Sequence, residues 1–556
     1  MATTFIHDGI SLVKSSPYTT FFLLCALLCL FTRLSTGYQK SRIERQVSLS
    51  TKPIPTLPYW LPYLGHALEF GWSFDDLLAK ARDNTKDGIF GLHMMGNKHY
   101  IVLMPSLVKQ FFVQRPSVIS SDSFLHWIYD KYFGDSGASK RMPEHDFHKV
   151  HGSQGMFMRE PFLSTATATT RSLVEERATS LIRLSSDAGK QSVWERSANV
   201  ALVGEKSAEA DLYPLIMDFV ASSAGVALMG HAFVENNPGI LEDLWAFDSS
   251  FSALLTGLPS LMPKMARARA ARTRLQAAVK EWNDAVTAML EERDPGPKWD
   301  DLSDVPEAMR LRVKALRDTN SEDIFASVST LATYWGLMVN ANKITFWMLL
   351  HIISDPELLE NVRKEIGPYA RRGVDEQSRL ALDVDGLIQK CPLLKATFFE
   401  TMRLYTAGTS YKNVCQDLTL TESPEDAETL GKPKPQTYHI KAGTFLAIPH
   451  GTMQMDPRLW SNPENFDSSR FLVPDGENET QIRADPRHLN AFGGGQSICK
   501  GRLFAEREVL IFISGILTVW EFKPAGGKTK IDTPKKYYLG TGSASPKSAI
   551  RMVGFY

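Results

Sequence analysis

One cysteine near the C-terminus lies in a loop whose composition favours a metal ligand. Within residues 491–508, AFGGGQSICKGRLFAERE, the residues Phe492, Gly495, Cys499 and Gly501 follow the pattern F-x-x-G-x-x-x-C-x-G. Glycines let the main chain approach the sulfur, and backbone amides together with the N-terminus of the following helix stabilise a thiolate. A thiolate held in this way is suited to be the single protein ligand of a haem iron. The alternative is a buried, unreactive cysteine beside a glycine-rich turn.

Two charged residues within an apolar segment precede this loop. Glu400 and Arg403 stand three residues apart in CPLLKATFFETMRLY, and this spacing places both side chains on one face of a helix. Arg470, in NPENFDSSRFL, follows seventy residues after Glu400 and is a candidate third member of a charged cluster. A pair with this spacing is usually solvated, but its position ahead of Cys499 favours a buried structural cluster.

The elements that must position these residues are mainly helices. The triplet Ser321-Glu322-Asp323 supplies an N-cap and first-turn acids, and predicts a helix that runs from there to about Ser354. A helix of this length spans roughly 50 Å. It is apolar around nearly its whole circumference, so we expect it to cross the interior of the fold. Strand-like segments are few and late, and the expected fold class is mainly α with small β-sheets.

The N-terminal region predicts a membrane anchor followed by a connector. Residues 21–31, FFLLCALLCLF, carry no polar side chain, and we expect a transmembrane helix over residues 18–34 behind a short luminal segment, residues 1–17. Basic residues are more frequent after this stretch than before it, so the body of the protein should face the cytosol. Residues 35–62 are basic and then rich in proline, which predicts a stiff hinge. Residues 63–556 then form one large domain. The alternatives are a cleaved signal and a linker with no positional role.

Charge and cysteine content exclude several classes of protein. The chain of 556 residues has 62 basic and 62 acidic side chains, so it lacks the basic surplus that nucleic acid as a main partner requires. Its hydrophobic content of 43% supports a large core and excludes a mostly disordered chain. Five cysteines in so long a chain cannot form a disulfide framework, and this usage is typical of a reducing compartment.

Taken in order, these motifs resemble those of the cytochrome P-450 family, the haem-thiolate oxygenases. The resemblance extends from the apolar N-terminal segment through the long central helix, Glu400, Arg403 and Arg470 to the loop that ends at Gly501. It implies one large, mostly helical haem domain in which Cys499 is the axial ligand of the iron of haem b and the Glu–Arg–Arg trio stabilises the core. Microsomal members reside in the endoplasmic reticulum membrane and receive electrons from NADPH through a membrane-bound reductase, with cytochrome b5 as a second candidate donor.

The central helix narrows the resemblance to one branch of the family. Most members carry an acid followed by Thr in this helix, and the pair relays protons during oxygen activation; the corresponding residues here are Val339 and Asn340. The segment NANKITFWMLLHII resembles the branch that holds the bile-acid sterol hydroxylases and prostacyclin synthase. Asn340 is therefore a candidate catalytic residue whose amide orients a water molecule or the substrate. Alternatively, it satisfies a backbone group in a kinked helix.

The sequence does not define which residues would bind the haem propionates as clearly as it defines the cysteine loop. Family members usually have a basic residue two positions before the cysteine, where this chain has Ser497. Lys412 stands where an Arg is common, and so Lys412 joins Phe492, Gly495 and Gly501 as a candidate cofactor-binding residue.

Three functions remain open at this point. The preferred one is a monooxygenase that uses O2 and reductase-supplied electrons to oxidise a lipophilic molecule, such as a terpenoid or sterol-like secondary metabolite. The second is an isomerase or dehydratase that rearranges an oxygenated substrate without O2 or NADPH, which the resemblance to prostacyclin synthase favours. The third is a membrane haem protein without catalytic activity. Related hydroxylases with Asn in place of the Thr still activate oxygen, and this favours the first.

Overall fold

The computed structural model describes residues 17–555 except for residues 46–50, 186, 188, 256–261, 374–378, 477 and 539–541. The predicted luminal segment, residues 1–17, therefore lies outside the described residues apart from its last position. The chain divides into two units, each of which combines segments that are distant in sequence. Unit 1 comprises Met1–Phe124 and Thr409–Ser461, and unit 2 comprises Leu125–Gly408 and Asn462–Tyr556.

Helices dominate the described chain, which confirms the predicted fold class. The first twelve are α1 Pro17–Glu44, α2 Ala67–Trp72, α3 Phe74–Asp83, α4 Pro105–Phe112, α5 Asp122–Ile128, α6 Ala138–Arg141, α7 Glu144–Gly152, α8 Phe162–Arg177, α9 Val193–Ser197, α10 Leu212–Met229, α11 His231–Asn236 and α12 Ile240–Asp248. The others are α13 Phe251–Leu255, α14 Pro263–Leu290, α15 Glu307–Asp318, α16 Asp323–Met338, α17 Ala341–Ser354, α18 Pro356–Ile366, α19 Val384–Lys390, α20 Pro392–Tyr405, α21 Pro424–Thr429, α22 His450–Gln454 and α23 Arg502–Val519.

Small β-sheets lie within each unit. The strands are β1 Thr51–Lys52, β2 Ile89–Met94, β3 Asn97–Val102, β4 Ile119–Ser120, β5 Ala201–Gly204, β6 Ser207–Asp211, β7 Ala370–Arg372, β8 Leu380–Leu382 and β9 Thr409–Val414. They continue with β10 Leu418–Thr421, β11 Thr437–Ile440, β12 Phe445–Pro449, β13 Leu472–Asp475, β14 Asn478–Ala484, β15 Glu521–Pro524, β16 Lys536–Tyr537, β17 Ser545–Pro546 and β18 Arg551–Phe555. Unit 1 holds sheets of order β2-β3-β12-β9-β4 and β1-β11-β10, and unit 2 holds β15-β18-β6-β5 and three strand pairs.

Each unit has its own apolar core. In unit 1 the core lies against the five-stranded sheet and includes Phe90, Ile101 and Leu446, which are all buried. In unit 2 helix α17 packs against α10, α20 and α23, and its Phe346 and Trp347 are inaccessible to solvent. Burial of such side chains contributes about 1.5–3 kcal/mol each, so α17 is held mainly by its packing.

The long central helix is interrupted, which corrects the prediction of one continuous helix from Ser321 to Ser354. Helix α16 ends at Met338 and α17 begins at Ala341. Between them Asn340 has φ −113° and ψ −48°, away from regular helical geometry. The next helix has a side-chain N-cap, because the Asp355 carboxylate accepts hydrogen bonds from the backbone N–H groups of Glu357 and Leu358 at the start of α18. The apolar pattern continues across the interruption, and it therefore gave no warning of a break.

The N-terminal helix is longer than the sequence predicts. It continues to Glu44, ten residues beyond the expected end at Leu34, and so the first part of the predicted hinge is helical. Lys40 and Glu44 form an ion pair one turn apart, at 3.4 Å, of the kind that supports an exposed helix. By length and composition two described helices could cross a membrane: Tyr18–Glu44, of which none is buried, and Leu212–Met229, which is 83% buried and thus a core helix.

The proline-rich segment packs on unit 1 as part of its structure. Leu57 donates its backbone N–H to Gly91 at 2.9 Å, and Gly91 donates to the carbonyl of Pro55 at 2.8 Å. The ammonium group of Lys52, at the start of the segment, lies 2.9–3.0 Å from both carboxylate oxygens of buried Asp87. These contacts join the segment to β2 and to the turn before it.

The other end of the proline-rich segment contacts helix α1. Arg33 donates a hydrogen bond to the carbonyl of Pro58, and its guanidinium lies 5.5 Å from the ring of Trp60. The Tyr59 backbone N–H donates to the hydroxyl of Thr36 at 3.3 Å. The segment is therefore bonded both to the helix and to the sheet.

Candidate active site

The loop before α23 has the tight geometry that its glycines predict. Gly493 and Gly495 have φ of +70° and +58°, values that favour glycine over any other residue. The Cys499 backbone N–H donates to the carbonyl of Phe492 at 2.9 Å and closes the loop. A Cβ atom on Gly501 would lie only 2.8 Å from Leu337 Cδ2, so the absence of a side chain lets α16 approach the loop.

The sulfur of Cys499 receives polar contacts from the start of α23. Dense protein atoms surround it and raise the pKa of its thiol by desolvation, while backbone hydrogen bonds from Gly501 and Arg502 and the Arg502 and Lys500 charges act in the opposite direction. The side chain nevertheless stays accessible at its surface. The donors that favour a thiolate are thus in place, and coordination to a metal deprotonates such a thiol outright.

The other two cysteines outside α1 have different surroundings. Cys391 is buried at the end of α19, and desolvation, with the carboxylates of Glu365 and Asp383, raises the pKa of its thiol to about 12. Such a thiol is unreactive. Cys415 is exposed and accepts a hydrogen bond from the Asn413 side chain at 3.1 Å. Cys499 alone lies in a glycine-bearing loop ahead of a helix.

The structure brings Glu400, Arg403 and Arg470 together. Arg403 donates to both carboxylate oxygens of Glu400, at 2.7 and 2.8 Å, and neither side chain is accessible to solvent. Arg470 lies 3.4 Å from the same carboxylate. The backbone N–H of Asp467 donates to it at 2.8 Å. The buried negative charge is therefore compensated from three directions.

The rest of the Arg403 guanidinium bonds to backbone carbonyls of the loop before Arg470. It donates to Pro463 at 2.8 Å and to Asn465 at 3.2 Å, and Arg470 donates to Asn462 at 3.0 Å. A network of this kind joins α20 to residues 462–470, and removal of Arg403 would break its bonds to Glu400, Pro463 and Asn465. The cluster positions a loop rather than a substrate.

The N-terminus of α20 is capped by a side chain from another helix. Pro392 occupies the first turn, where a missing N–H costs nothing. The carboxylate of Glu365 accepts from the backbone N–H groups of Leu393 and Leu394, both at 2.8 Å. A carboxylate at a helix N-terminus also interacts favourably with the helix dipole. The helix that carries Glu400 is thus capped by a residue that the sequence analysis did not single out.

Asn340 lies at the break between α16 and α17. Its Oδ1 accepts a hydrogen bond from the backbone N–H of Ser543 at 2.9 Å. A Cβ on Gly542 would lie 2.0 Å from the same oxygen, so the close approach requires glycine there. Since Leu337, just before the break, contacts Gly501, the break lies near the Cys499 loop. The observed bond matches the alternative interpretation of Asn340, in which the amide satisfies a backbone group.

The C-terminal segment that meets Asn340 is bonded to α17 and to the end of α20. Ala407 donates to the carbonyl of Gly542 at 2.9 Å, and Ala544 donates to that of Tyr405 at 2.8 Å. The indole N–H of Trp347 donates to the carbonyl of Ala544 at 2.8 Å. Residues 542–544 therefore connect the helix break to the helix of the charged cluster.

Lys412 lies on β9 of unit 1, whereas the Cys499 loop belongs to unit 2. Its side chain is buried, with the ammonium group 5.4 Å from the ring of Phe111. Desolvation lowers the pKa of its ammonium group, and the charge of Asp122 opposes that effect. Its role as a cofactor contact stays a prediction.

Comparison with known proteins decides the family. The family model described as cytochrome P-450 matches residues 55–550, nearly the whole chain. The chain belongs to the cytochrome P-450 family. It is 24% identical over 481 residues to the cytochrome P-450 monooxygenase poxD of Penicillium oxalicum, covering 85% of this chain and 88% of that protein.

Other relatives are mammalian. Cytochrome P-450 7A1 of Rattus norvegicus is 25% identical over 501 residues, 87% of this chain and 90% of the relative. The cholesterol 7-alpha-monooxygenase of Cricetulus griseus is 27% identical over 313 residues, 55% of this chain and 56% of the relative. These matches confirm the resemblance inferred from the motifs and agree with the sterol-hydroxylase branch that the central helix predicts. The protein is a cytochrome P-450 monooxygenase.

Membership in the cytochrome P-450 family implies haem, and the residues of the loop fit that group. One sulfur carries backbone donors on the protein side, stays accessible and is preceded by glycines that let the main chain pass close to it. This donor set, with a single thiolate, is the one that haem-thiolate proteins use.

Two partners in the site were not found from the sequence. The amide oxygen of Asn340 accepts a hydrogen bond from Ser543, which lies 203 residues away in the chain, and no sequence pattern near Asn340 predicts this contact. Lys343, three residues after Asn340, forms a buried ion pair with Asp248 at 2.8 Å. A signal for this second pair was present, because Lys343 is the single charged residue between Ile324 and Leu350. A buried Lys requires an acid, and the sequence did not show which one.

Proposed function

We propose that this cytochrome P-450 is a membrane-anchored, reductase-dependent monooxygenase that oxidises a sterol-like or terpenoid molecule, a reaction typical of secondary metabolism. The observation that carries the proposal is the sulfur of Cys499, held by backbone donors in the loop before α23 and close to the interrupted central helix. Haem supplies the activation of O2 when it is bound. Cys499 would hold the iron and would donate electron density to it.

The amide of Asn340 has a defined orientation in this proposal. Its oxygen is occupied by the backbone N–H of Ser543, and so its NH2 group is the part that can donate to a water molecule or to a substrate oxygen. An amide does not ionise at neutral pH. Protons that reach the site therefore move through water, with Asn340 as the group that orients it. Asn340 acts as the proposed catalytic residue by hydrogen bonding alone.

The proposed substrate class rests on the relatives and on the surroundings of the break. One relative is named as a cholesterol 7-alpha-monooxygenase, which acts on a rigid, lipophilic ring system. Near the break, Leu337 contacts the Cys499 loop, and Met338 and Val339 are buried apolar residues. We therefore expect a lipophilic substrate with few polar groups, one of which meets the Asn340 amide.

Membrane attachment is proposed through α1. The helix exposes large apolar side chains along its first half, such as Phe22 and Leu27, and none of it is buried. Basic residues follow its apolar part, and positive charge favours the cytosolic side. The proposal places the protein in the endoplasmic reticulum membrane as a single-pass protein with its catalytic part in the cytosol. There it meets an NADPH-dependent reductase, with cytochrome b5 as an alternative donor.

One observation favours a second function. The acid–Thr pair is replaced by Val339 and Asn340, so the residues that usually deliver protons are absent from the break. An isomerase or dehydratase needs no such delivery, because its oxygen atoms arrive with the substrate. In that case Asn340 would hold the substrate's oxygen atoms and no reductase would be required.

The experiment that separates the two functions measures turnover under four conditions. Purified full-length protein in lipid vesicles is given reductase and a panel of sterols and terpenoids, with NADPH and O2 each present or omitted. Isotopically labelled O2 then reports whether one oxygen atom enters the product. Incorporation that needs both NADPH and O2 supports the monooxygenase. Product formation from oxygenated terpenoids without either one overturns it in favour of the isomerase.

A further inference from the structure

Both segments of the interrupted central helix donate to one carboxylate. The indole N–H of Trp335, on α16 before the break, donates to Asp248 Oδ1 at 3.1 Å. The ammonium group of Lys343, on α17 after the break, donates to Asp248 Oδ2 at 2.8 Å. The carboxylate of Asp248, at the end of α12, thus bridges the interruption at which Asn340 lies.

The position of Lys343 explains why a carboxylate is required there. The side chains of Lys343 and Asp248 are each only 4% exposed, so the cation is almost completely desolvated. Lys343 also stands in the first turn of α17, where the helix dipole disfavours a positive charge. A carboxylate next to this turn compensates both effects. Without it the helix would begin with an unpaired buried cation.

Aromatic packing holds Asp248 in place and orients the Trp335 donor. The ring of Tyr132 stacks on Phe247, beside Asp248, with centroids 4.1 Å apart and an interplanar angle of 15°. The indole of Trp335 lies nearly parallel to the ring of Phe251, at 5.9 Å and 8°. Tyr132 and Phe133 also meet the indole edge-on, with centroids 5.4 and 5.6 Å away, and these contacts restrict its rotation while its N–H donates to Asp248.

Asn340 is therefore fixed between two restraints. Its amide oxygen accepts from Ser543, which belongs to the C-terminal segment. The helical segments on either side of it are joined through Asp248. Leu337 lies between Trp335 and the break and contacts Gly501 of the cysteine loop. A change in the angle between α16 and α17 would consequently move Asn340 relative to Cys499.

We propose that Asp248 is a positioning residue for Asn340. By joining α16 to α17 it sets the angle of the break, and thereby the position of the Asn340 NH2 group relative to the Cys499 loop. This inference rests on the proposed function, because it assumes haem bound at Cys499. It assigns to Asp248 and Lys343 a part in selecting which ligands and substrates fit next to the iron. It predicts that their pairing affects bulky ligands more than small ones.

The test compares two iron-binding probes in full-length, haem-loaded protein without NADPH or reductase. Imidazole is small, whereas 4-phenylimidazole carries an additional ring that needs more room in the site. Their dissociation constants are measured from the shift of the haem absorption band. Variants are Asp248→Asn, Asp248→Glu and the double variant Asp248→Asn/Lys343→Met, in which no buried charge is left unpaired. Asp243→Asn, an acid on the same helix that pairs with exposed Arg274, is the matched control.

The expected result is a change in the ratio of the two dissociation constants. Asp248→Asn and the double variant should each alter this ratio by about five-fold or more, since residues that share one network are coupled. Asp248→Glu should restore it in part, and Asp243→Asn should leave it unchanged. If Asp248→Asn loads no haem, the double variant decides. A ratio that changes less than about five-fold in the double variant overturns the proposal and leaves the pair with a structural role alone. Absence of haem at Cys499 would look different, because the wild type itself would bind neither probe at a thiolate-ligated haem. Failure of the monooxygenase function is read separately, from turnover with and without NADPH and O2.

Discussion

The guanidinium of Arg403 forms two hydrogen bonds with the carboxylate of Glu400, at 2.7 and 2.8 Å, and both side chains are completely buried. A charge pair in this setting is stable only while each partner is present, because desolvation of a lone charge is costly. Arg470 and the Asp467 backbone N–H contribute to the same carboxylate. The cluster thus behaves as one unit that holds residues 462–470 against α20.

Arg403→Ala should prevent most of the protein from folding with haem. Removal of one partner leaves Glu400 buried with an incomplete set of donors, at a cost of about 3–5 kcal/mol. The measurement is the yield of haem-loaded protein per expressed chain, with the melting temperature of any that forms. Arg274→Ala, which breaks the exposed pair with Asp243, is the control and should leave the yield and the melting temperature nearly unchanged, because exposed ion pairs contribute little. Equal yields for the two variants would show that the cluster contributes little.

Cys499→Ala should abolish the absorption band that reduced, CO-bound haem shows when a thiolate is the opposite ligand. Cys391→Ala and Cys415→Ala should retain the band, because Cys391 is a buried, unreactive thiol and Cys415 lies between β9 and β10 of unit 1. The spectra are recorded at equal haem concentration. Persistence of the band in the Cys499 variant would assign the ligand to another residue.

Gly542→Ala should displace the amide of Asn340. A methyl group at residue 542 would lie 2.0 Å from Asn340 Oδ1, and overpacking of this kind costs about 1–3 kcal/mol. We expect a lower melting temperature and an altered affinity for imidazole at the iron. The double variant Gly542→Ala/Asn340→Gly removes the clash and should recover the melting temperature without recovering wild-type ligand binding.

A matched control for this substitution is Gly408→Ala, since an added Cβ there would meet no atom within 4 Å. It should change neither property. If Gly542→Ala behaves like Gly408→Ala, the contact between Asn340 and the C-terminal segment is not maintained in solution.

Glu508 should make the protein less stable as the pH rises. Burial on α23 raises the pKa of its carboxyl from 4.5 to about 8. Between these pH values the folded protein keeps the proton and the unfolded chain loses it. The free energy of unfolding therefore falls with rising pH, by up to about 1.4 kcal/mol per unit. Glu508→Gln keeps the shape of the side chain and should flatten this dependence.

The measurement for Glu508 is the melting temperature of wild type and variant across this pH window. The difference between them should grow in favour of the variant toward pH 8. Glu521→Gln, at a side chain that is 68% exposed, is the control and should follow the wild type. A constant offset between wild type and Glu508→Gln would contradict the protonation of Glu508 in the folded state.

The sequence predicted those parts of the site that follow from local spacing. Glu400 and Arg403 are one turn apart, so their pairing needs only a helix, and Cys499 is defined by the glycines around it. The break at Asn340 could not be predicted in this way. It depends on Ser543, which is distant in the chain, and the apolar residues on both sides continue the helical period without change.

The C-terminal end of α1 was also beyond what local sequence patterns predict. Hydrophobicity located its apolar part, but the polar turns that follow are helical through side-chain pairs such as Lys40 with Glu44, which composition does not reveal. Only one member of the buried pair Lys343–Asp248 could be singled out from the sequence. Lys343 is a lone charge in an apolar segment, whereas nothing in the sequence distinguishes Asp248 from other acids. Pairing across the fold is what sequence patterns leave undetermined.

The proline-rich segment is fixed by hydrogen bonds at its beginning, in its middle and at its end. Lys52 ties its beginning to Asp87, Leu57 is paired with Gly91, and Pro58 is bonded to Arg33 of the proposed anchor. Any displacement of α1 is therefore transmitted to the sheet of unit 1 rather than absorbed on the way. An inserted or deleted residue between Lys52 and Pro58 must break at least one of these bonds. The length of this stretch is thus a constrained property of the protein, as the length of an ordinary linker is not.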